Sequence, residues 1–333
     1  MTVVSVVIPC RNEEKYIEEC IRAIYSSKLD SSIHFDVYVV DGMSDDTTRL
    51  IVNKLKSEFS TLNLVDNIKK LTPYAFNLGI YQNKKADYIQ IIGARHIVSD
   101  NYISKSLEVL KNDTSVWCVG GKIINEYTNE TSEIISNAMG SSFGMGIGNF
   151  RTLTKSGYTD TVTSPLYPMW VFEKIGCFDE ELIRNQDDDF NFRLTNAGGK
   201  VWFESEINLR YYVRASYKNV AKQFFQYGYW KVYVNKKHKA VTTLRQLVPP
   251  LFVSYLFLLP FTFLFSSTFG IISSIPLIIY ILLNGFISLK NNLKLVYTFP
   301  VLHVSYGLGY LNGIIHFIVL NRKPSNKSKE LSR

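Results

Sequence analysis

Two stretches near the start of the chain decide its reading: Val4-Ser5-Val6-Val7-Ile8-Pro9-Cys10-Arg11-Asn12-Glu13-Glu14 and Asp36-Val37-Tyr38-Val39-Val40-Asp41-Gly42-Met43-Ser44-Asp45-Asp46-Thr47. Each begins as an apolar run too short and too β-branched for a helix, stops at polar residues and gives way to an amphipathic pattern. This is the pattern of a parallel βαβ unit, with polar side chains gathered at the carboxyl ends of the strands. Ligands of open α/β sheets bind in the crevice outside those ends, so Asp41 and its neighbours fall at a ligand site. Pro9 fixes its own φ and offers no backbone donor, and so closes the first strand. Asn12, Glu13 and Glu14 then open a helix, where acidic groups suit the dipole; capping alone also accounts for them. After the second strand, Gly42 permits a tight turn and Ser44 is placed to cap a helix opening near Asp45. Asp41 is left at the strand tip with its carboxylate free.

The composition changes along the 333 residues, which are enough for two domains. Residues 1–215 mix charged and apolar segments as an α/β domain does. Neither Gln246 to Leu289 nor Leu295 to Asn321 contains an Asp, Glu, Lys or Arg. A bilayer-crossing helix needs roughly 20 apolar residues, so the first stretch holds a two-span hairpin and the second holds one more. The net charge of +8 concentrates ahead of this region, at Arg210, Arg214, Lys218, Lys222, Lys231 and four further basic residues through Arg245. With Phe224, Phe225, Tyr227, Tyr229 and Trp230 interleaved, residues 216–245 read as an amphipathic helix on an anionic membrane surface. Nucleic acid is the poorer partner for it, because the charges run directly into an uncharged hairpin that positive-inside logic anchors here.

Met1 leads straight into a strand, without a basic stretch followed by an apolar one, so the catalytic region is expected in the cytoplasm, held on the inner (plasma) membrane. Three full spans would then put the basic tail 322–333, with Arg322, Lys323, Lys327, Lys329 and Arg333, on the outer face against the positive-inside rule. The last apolar stretch is also unusually polar, with His303, Asn312, His316 and several glycines and tyrosines. A re-entrant or interfacial helix, or one packed on the catalytic domain, would return the tail to the cytoplasm. The cysteines Cys10, Cys20, Cys118 and Cys177 lie far apart without metal-ligand spacing and read as reduced, buried packing residues.

Together the two opening motifs resemble the donor site of a family 2 glycosyltransferase with the GT-A fold. The resemblance implies a Rossmann-like α/β catalytic domain with a mostly parallel sheet, followed by interfacial and transmembrane helices. It also implies that Pro9, Arg11, Glu13 and Asp41 contact the uridine part of a sugar nucleotide, with Ser44 in the same loop. A carboxylate at Asp41 would accept the ring N–H of uracil. The segment Leu71-Thr72-Pro73-Tyr74-Ala75-Phe76-Asn77-Leu78-Gly79-Ile80 resembles the family's next block, with Asn77 and Gly79 on a helix start under the nucleotide; local capping explains them almost as well.

The pattern then departs from the family. The strand Asp87-Tyr88-Ile89-Gln90-Ile91-Ile92 ends in Gly93-Ala94-Arg95-His96, where most GT-A enzymes carry Asp-x-Asp holding a divalent cation on the donor diphosphate. In succinoglycan-type exopolysaccharide glycosyltransferases the text is roughly Asp-Ala-His, so His96 matches and Ala94 stands where the Asp should be. A hard cation such as Mg²⁺ or Mn²⁺ loses its anchor. Two substitutes remain open: Arg95 can neutralise the diphosphate with a bidentate guanidinium, or a softer metal can sit on His96.

Further on, Phe172-Glu173-Lys174-Ile175-Gly176-Cys177-Phe178-Asp179-Glu180 and Asn185-Gln186-Asp187-Asp188-Asp189 restore the resemblance. It implies Asp187 as catalytic base, with Gln186 replacing the usual Glu. Asp188 is a second candidate beside the acceptor, since three consecutive aspartates on a helix cannot all face one way. Neighbouring charge and partial burial would raise the base's pKa. Gln226-Tyr227-Gly228-Tyr229-Trp230 resembles the Gln-x-x-Arg-Trp motif of processive synthases, with Tyr229 in place of Arg, and places Gln226 and Trp230 near the acceptor. Gly140, Gly144, Gly146 and Gly148 read equally as a mobile loop over the site or as a flexible linker.

The expectation is a membrane-bound, single-addition inverting enzyme that moves a sugar from a nucleotide-sugar donor to a lipid-linked saccharide acceptor. A polysaccharide assembly complex is a further partner to consider. A polyprenyl-phosphate glycosyltransferase, a processive synthase and an inactive scaffold in such a complex are the alternatives.

Overall fold

The computed structural model describes residues 1–146, 150–213, 216–242 and 244–324. In chain order it begins β1 (Thr2–Cys10), α1 (Ile17–Tyr25), β2 (Ile33–Asp41), α2 (Thr48–Leu55), β3 (Leu62–Asp66), α3 (Thr72–Gln82), β4 (Tyr88–Ile91), β5 (His96–Val98), α4 (Tyr102–Asn112) and β6 (Val116–Glu126). It continues with α5 (Glu130–Met139), α6 (Ser142–Met145), β7 (Gly157–Thr159), β8 (Thr163–Pro168), α7 (Met169–Ile175), α8 (Gln186–Asn196) and β9 (Lys200–Tyr212). The chain closes with α9 (Tyr217–His238), α10 (Val248–Phe265), α11 (Ser267–Ser273), α12 (Ile275–Asn291) and α13 (Leu295–Gly313), the last running into a π-helical turn at Ile314–Val319. Two compact units result: Met1–Glu126 with Gly148–Tyr212, and Tyr127–Ile147 with Val213–Arg333.

The first unit is built on one mixed sheet of order β3-β2-β1-β4-β8-β6-β9-β5, with β7 on β9. As the opening motifs predict, β1 pairs in parallel with β2 in register from Thr2↔Ile33 to Cys10↔Asp41, and β1 also pairs in parallel with β4. β1 is therefore the point at which the strand order reverses, and open α/β sheets bind ligands outside the carboxyl ends of the strands at such a point. Its two faces are both buried, Val4, Val6 and Ile8 under α1 and Val7 in the opposite core, which explains a continuous apolar run in place of alternation.

The helices open later than the sequence predicts. α1 starts at Ile17, whose N–H donates to the Glu13 carbonyl at 2.9 Å, so Asn12–Glu14 form the turn ahead of it. α2 starts at Thr48; Ser44 does not cap it, and Asp46 accepts from the Thr48 N–H at 2.9 Å. The left-handed residue of the second loop is Met43 (φ 56°), not Gly42.

Asn77 and Gly79 lie in the middle of α3, not at its start. A Cβ on Gly79 would stand 2.3 Å from Val7 Cγ1, so the glycine lets α3 lie directly on β1. Alanine in a helix ordinarily stabilises, but here overpacking wins: Gly79→Ala should lower stability by about 1–3 kcal/mol in a denaturant melt. A stabilised Gly79→Ala protein would refute that contact.

The second unit is helical. Tyr127–Ile147 belongs to it although the sequence places it within a continuous 1–215 domain, because α5 and α6 turn Ile134, Ile135, Ala138 and Met139 inward and Phe143 packs edge-on against Phe299 of α13. Within the glycine run the positions differ, Gly140 being exposed and Gly146 half-buried. Gly144 is buried, and its Cβ would meet the Ala138 carbonyl at 2.0 Å; Gly148 lies outside the described residues.

α9 buries only part of its aromatic set and leaves Lys218, Lys222 and Lys237 exposed. Phe224, Tyr229 and Trp230 are buried, because α9 packs on α13 through glycines. A Cβ on Gly228 would lie 2.1 Å from the Tyr306 carbonyl, and one on Gly309 would lie 2.0 Å from that of Phe225. With Gly313 against Tyr229, Gly309-x-x-x-Gly313 supplies the small-residue spacing that lets helix backbones touch. The segments Leu244–Phe265, Ser267–Asn291 and Leu295–Val319 are each long and apolar enough to cross a membrane. Leu251, Phe257, Phe261, Ile271, Ile281 and Leu289 are exposed on them. Arg214, Lys327, Lys329 and Arg333 lie outside the described residues.

Candidate functional site

The loops after β1 and β2 are stitched together at the carboxyl edge of the sheet. Asn12, held at φ 55°, donates through Nδ2 to Asp45 at 2.7 Å and accepts from the Asp45 N–H at 3.1 Å. The Glu13 N–H donates to Thr48 Oγ1 at 2.8 Å, and the Thr47 hydroxyl donates to Glu14 at 2.7 Å. Gly42 brings its backbone against the Arg11 side chain, where a Cβ would stand at 3.2 Å. The result is a rigid shelf carrying Pro9, Arg11 and Glu13.

Asp41 does not hold a free carboxylate. It is fully buried; Oδ2 accepts from Arg49 Nη1 at 2.7 Å and from the Ser44 N–H at 3.0 Å, while Oδ1 accepts from the Ser44 hydroxyl and from the Cys10 thiol. Those four contacts use up its acceptor capacity. The reason is Arg49, on α2, which reaches back to bridge Asp41 and Asp66 (2.8 Å) at the tips of β2 and β3. Hydrogen bonding to Asp41 and Asp66 raises the Arg49 pKa further, while burial and then the Asp41 charge push the Cys10 thiol up and keep it neutral. The sequence reading missed Arg49. No local sequence signal marks it, because the bridge is set by how α2 lies across the tips of β2 and β3.

On the other side of β1, Arg95 follows β4. Its Nε donates to Glu13 Oε2 at 2.7 Å and its guanidinium lies 5.0 Å from the Tyr16 ring centroid. This ion pair joins the β1 and β4 loops across the reversal point of the sheet, where a phosphate-bearing ligand would lie. Arg95 remains 39% exposed, so it keeps donors for a ligand while Glu13, 14% exposed, holds it in place.

His96 is tied to the scaffold: Nδ1 pairs with Ser164 Oγ at 2.7 Å and the ring packs edge-on against Tyr211. Burial, then the positive charge of Arg151, lowers its pKa to about 4. Among the described residues no group of three His, Cys, Asp or Glu is placed to hold a metal ion. The donor set at the strand tip, with Gly93, Ala94 and Arg95 around a structurally engaged His96, does not fit a hard divalent cation. The unfolded chain takes up the His96 proton near pH 6.5 and the folded one only near pH 4, so stability should fall as pH drops through that window. Melts of His96→Gln against the parent should show that window flattened; an unchanged profile would contradict the burial.

Asn77 and Gly79 are spent within the fold. Asn77 Oδ1 accepts from the Phe178 N–H at 3.0 Å and its Nδ2 donates to the Phe178 carbonyl at 2.9 Å, clamping the loop after α7. That loop leads to α8, whose first turn sorts the aspartates: Asp187 is exposed, Asp188 half-buried, and Asp189 buried against Arg193 Nε at 3.0 Å. The expected partial burial thus falls on Asp188, not Asp187. α8 is held to β8 by Tyr167, whose hydroxyl donates to Asn191 at 3.3 Å, and β8 also carries the Ser164 that fixes His96. Trp230 has no exposed surface, packed near Phe317 and Tyr233, so it offers no face to an acceptor; Gln226 is half-buried on the same helix. Of the cysteines, Cys177 is half-buried, not buried.

Residues 5–175 match the family model described as glycosyl transferase family 2. The chain belongs to glycosyl transferase family 2. Its relatives include the dolichyl N-acetyl-alpha-D-glucosaminyl phosphate 3-beta-D-2,3-diacetamido-2,3-dideoxy-beta-D-glucuronosyltransferase of Methanococcus voltae, 28% identical over 95% of this chain and 98% of that one. The succinoglycan biosynthesis protein ExoA of Rhizobium meliloti is 28% identical over 73% of each chain. Among solved structures, the fold is similar to the mannosyltransferase PcManGT of Pyrobaculum calidifontis in complex with GDP-Man and Mn²⁺ (TM-score 0.64, 13% identity, 94% of this chain and 86% of that one). It is also similar to GalNAc-T7 with UDP, GalNAc and Mn²⁺ (TM-score 0.51, 12% identity, 65% of this chain and 44% of that one). A family 2 glycosyltransferase on a GT-A-like fold, with three long apolar helices after the catalytic domain, is thus established.

Proposed function

We propose that this glycosyltransferase transfers a sugar from a nucleotide diphosphate donor, UDP-linked in our reading, to a saccharide carried on a polyprenyl-type lipid phosphate at a membrane. The observation that carries the donor assignment is the Glu13–Arg95 pair across the strand-order reversal beside the buried Asp41–Arg49–Asp66 network. Support for the acceptor is the M. voltae relative, whose name specifies a dolichyl-phosphate-linked sugar, together with the three apolar helices.

In this reading Pro9, Arg11 and Glu13 line the nucleoside, and a base N–H reaches Asp41 only by displacing Ser44 or Arg49. Arg95 takes the diphosphate charge, a role its planar donors suit. The acceptor hydroxyl oxygen attacks the anomeric carbon opposite the diphosphate; its proton passes to Asp187, the bond from the anomeric carbon to the diphosphate oxygen breaks, and the nucleoside diphosphate leaves with the electron pair. Asp188 positions the acceptor.

The test is transfer of radiolabel from a panel of nucleotide sugars to lipid-linked saccharides in membranes holding the full chain, with and without EDTA. Label entering the lipid fraction in EDTA, and lost in Arg95→Ala, is the expected result. Label appearing only on the bare lipid phosphate would favour a polyprenyl-phosphate glycosyltransferase instead. Transfer abolished by EDTA and restored by Mn²⁺ would refute the guanidinium role.

A further inference from the structure

The second unit fixes which of its apolar helices can cross a membrane together. α10 and α12 are antiparallel: the Tyr255 hydroxyl donates to the Ser273 carbonyl at 2.7 Å and accepts from the Leu277 N–H at 3.2 Å, and the Phe252 and Tyr280 rings lie 4.6 Å apart. Only Ser266 separates α10 from α11, so α10 and α11–α12 make a hairpin. If that hairpin spans, α12 ends on the side where α10 begins. α13 starts on that same side, three residues after α12, and α9 ends there, nine residues before α10.

α9 and α13, however, run parallel along their whole lengths. Tyr217 at the start of α9 shares a hydrogen bond of 3.0 Å with Thr298 near the start of α13. Phe225 and Tyr229 meet Gly309 and Gly313 in the middle. At the far end Lys236 Nζ donates to the Phe317 carbonyl and to Asn321 Oδ1, both at 2.6 Å. A spanning α13 would leave the side on which α9 ends and could touch an in-plane α9 at one point only; a spanning α9 arriving at that side would have to be antiparallel to it. Side-by-side parallel contact fits neither. It fits two helices lying together in the plane of the membrane surface. The composition agrees: α9 carries five lysines and no acidic residue, with Lys218, Lys222 and Lys237 exposed, while Gln223, Gln226 and Lys231 interrupt its middle.

We propose that only the α10–α12 hairpin crosses the bilayer, and that α9 and α13 form a paired platform on an anionic lipid surface at the side where the hairpin enters. The tail after Asn321 then stays on that side. This rests on the membrane reading above, and the test separates the two. Single cysteines are placed at Ser267 (the α10–α11 turn), Leu293 (the α12–α13 turn) and Lys323, with Arg322→Cys as a second tail position, in the full chain carrying Cys177→Ser. A membrane-impermeant maleimide is then applied to sealed vesicles of known orientation. The expected result is that Leu293→Cys and both tail cysteines label from one side and Ser267→Cys from the other. Tail cysteines labelling with Ser267→Cys would overturn the in-plane α13. Ser267→Cys and Leu293→Cys labelling from the same side would remove the spanning hairpin, and the membrane reading with it.

Discussion

The Arg49→Ala protein should unfold well below the parent, having lost about 3 kcal/mol. Arg49 is the cationic partner of a carboxylate with no exposed surface, and its loss leaves Asp41 buried without that partner. Breaking a buried ion pair from one side costs about 3–5 kcal/mol, and the partial exposure of Arg49 (31%) puts this case at the lower end. For a unit of this size the melting temperature should drop by roughly 6–12 °C. Arg49→Lys should recover only part of the loss, because one ammonium cannot fork to both Asp41 and Asp66 as the guanidinium does. A change under ~1 kcal/mol in Arg49→Ala, the range of an exposed pair, would show that water reaches Asp41 and that the network is not a buried one.

Turnover should fall about 10²- to 10⁴-fold in Asp187→Asn while nucleotide affinity is unchanged, the range for removing a general base. Asparagine keeps the shape of the exposed first turn of α8, so the fold is not at stake; Asp189, buried on Arg193, is the position where substitution would unfold it. Steady-state transfer rates beside nucleotide binding separate the two effects. A full loss in Asp188→Asn with Asp187→Asn active would move the base one residue. Activity retained in both would mean an acceptor already ionised, as a lipid phosphate is, with no base needed.

The parallel βαβ opening was legible because buried strands write themselves as apolar runs ending in polar loops, and Thr2–Cys10 and Ile33–Asp41 do so. What stayed hidden were contacts set by tertiary approach. Nothing local in Asp41-Gly42-Met43-Ser44 shows that Arg49 saturates the carboxylate, since the bridge depends on how α2 returns past β3. Gly79 and Asn77 read as ligand residues because polar and small residues near a strand tip look alike whether they face a nucleotide or pack a helix onto Val7 and the Phe178 loop. Phe224, Tyr229 and Trp230 matched a surface pattern, yet the glycines of α13 let a second helix pack closely enough to bury them, while Phe225 and Tyr227 stay half-buried.

In the proposed function the nucleotide sits at the carboxyl edge of β1 and β2 with its diphosphate end on Arg95. Calorimetric titration of UDP into the purified full chain, with EDTA and then with Mn²⁺, tests this placement most directly, comparing the parent with Asp41→Ala and Arg95→Ala. UDP should bind in EDTA, each substitution should weaken binding at least about tenfold, Asp41→Ala by loosening the loop that Asp41 ties to Ser44 and Arg49, and Mn²⁺ should add less than that. No UDP binding in either condition, or binding indifferent to both Asp41 and Arg95, would contradict that placement.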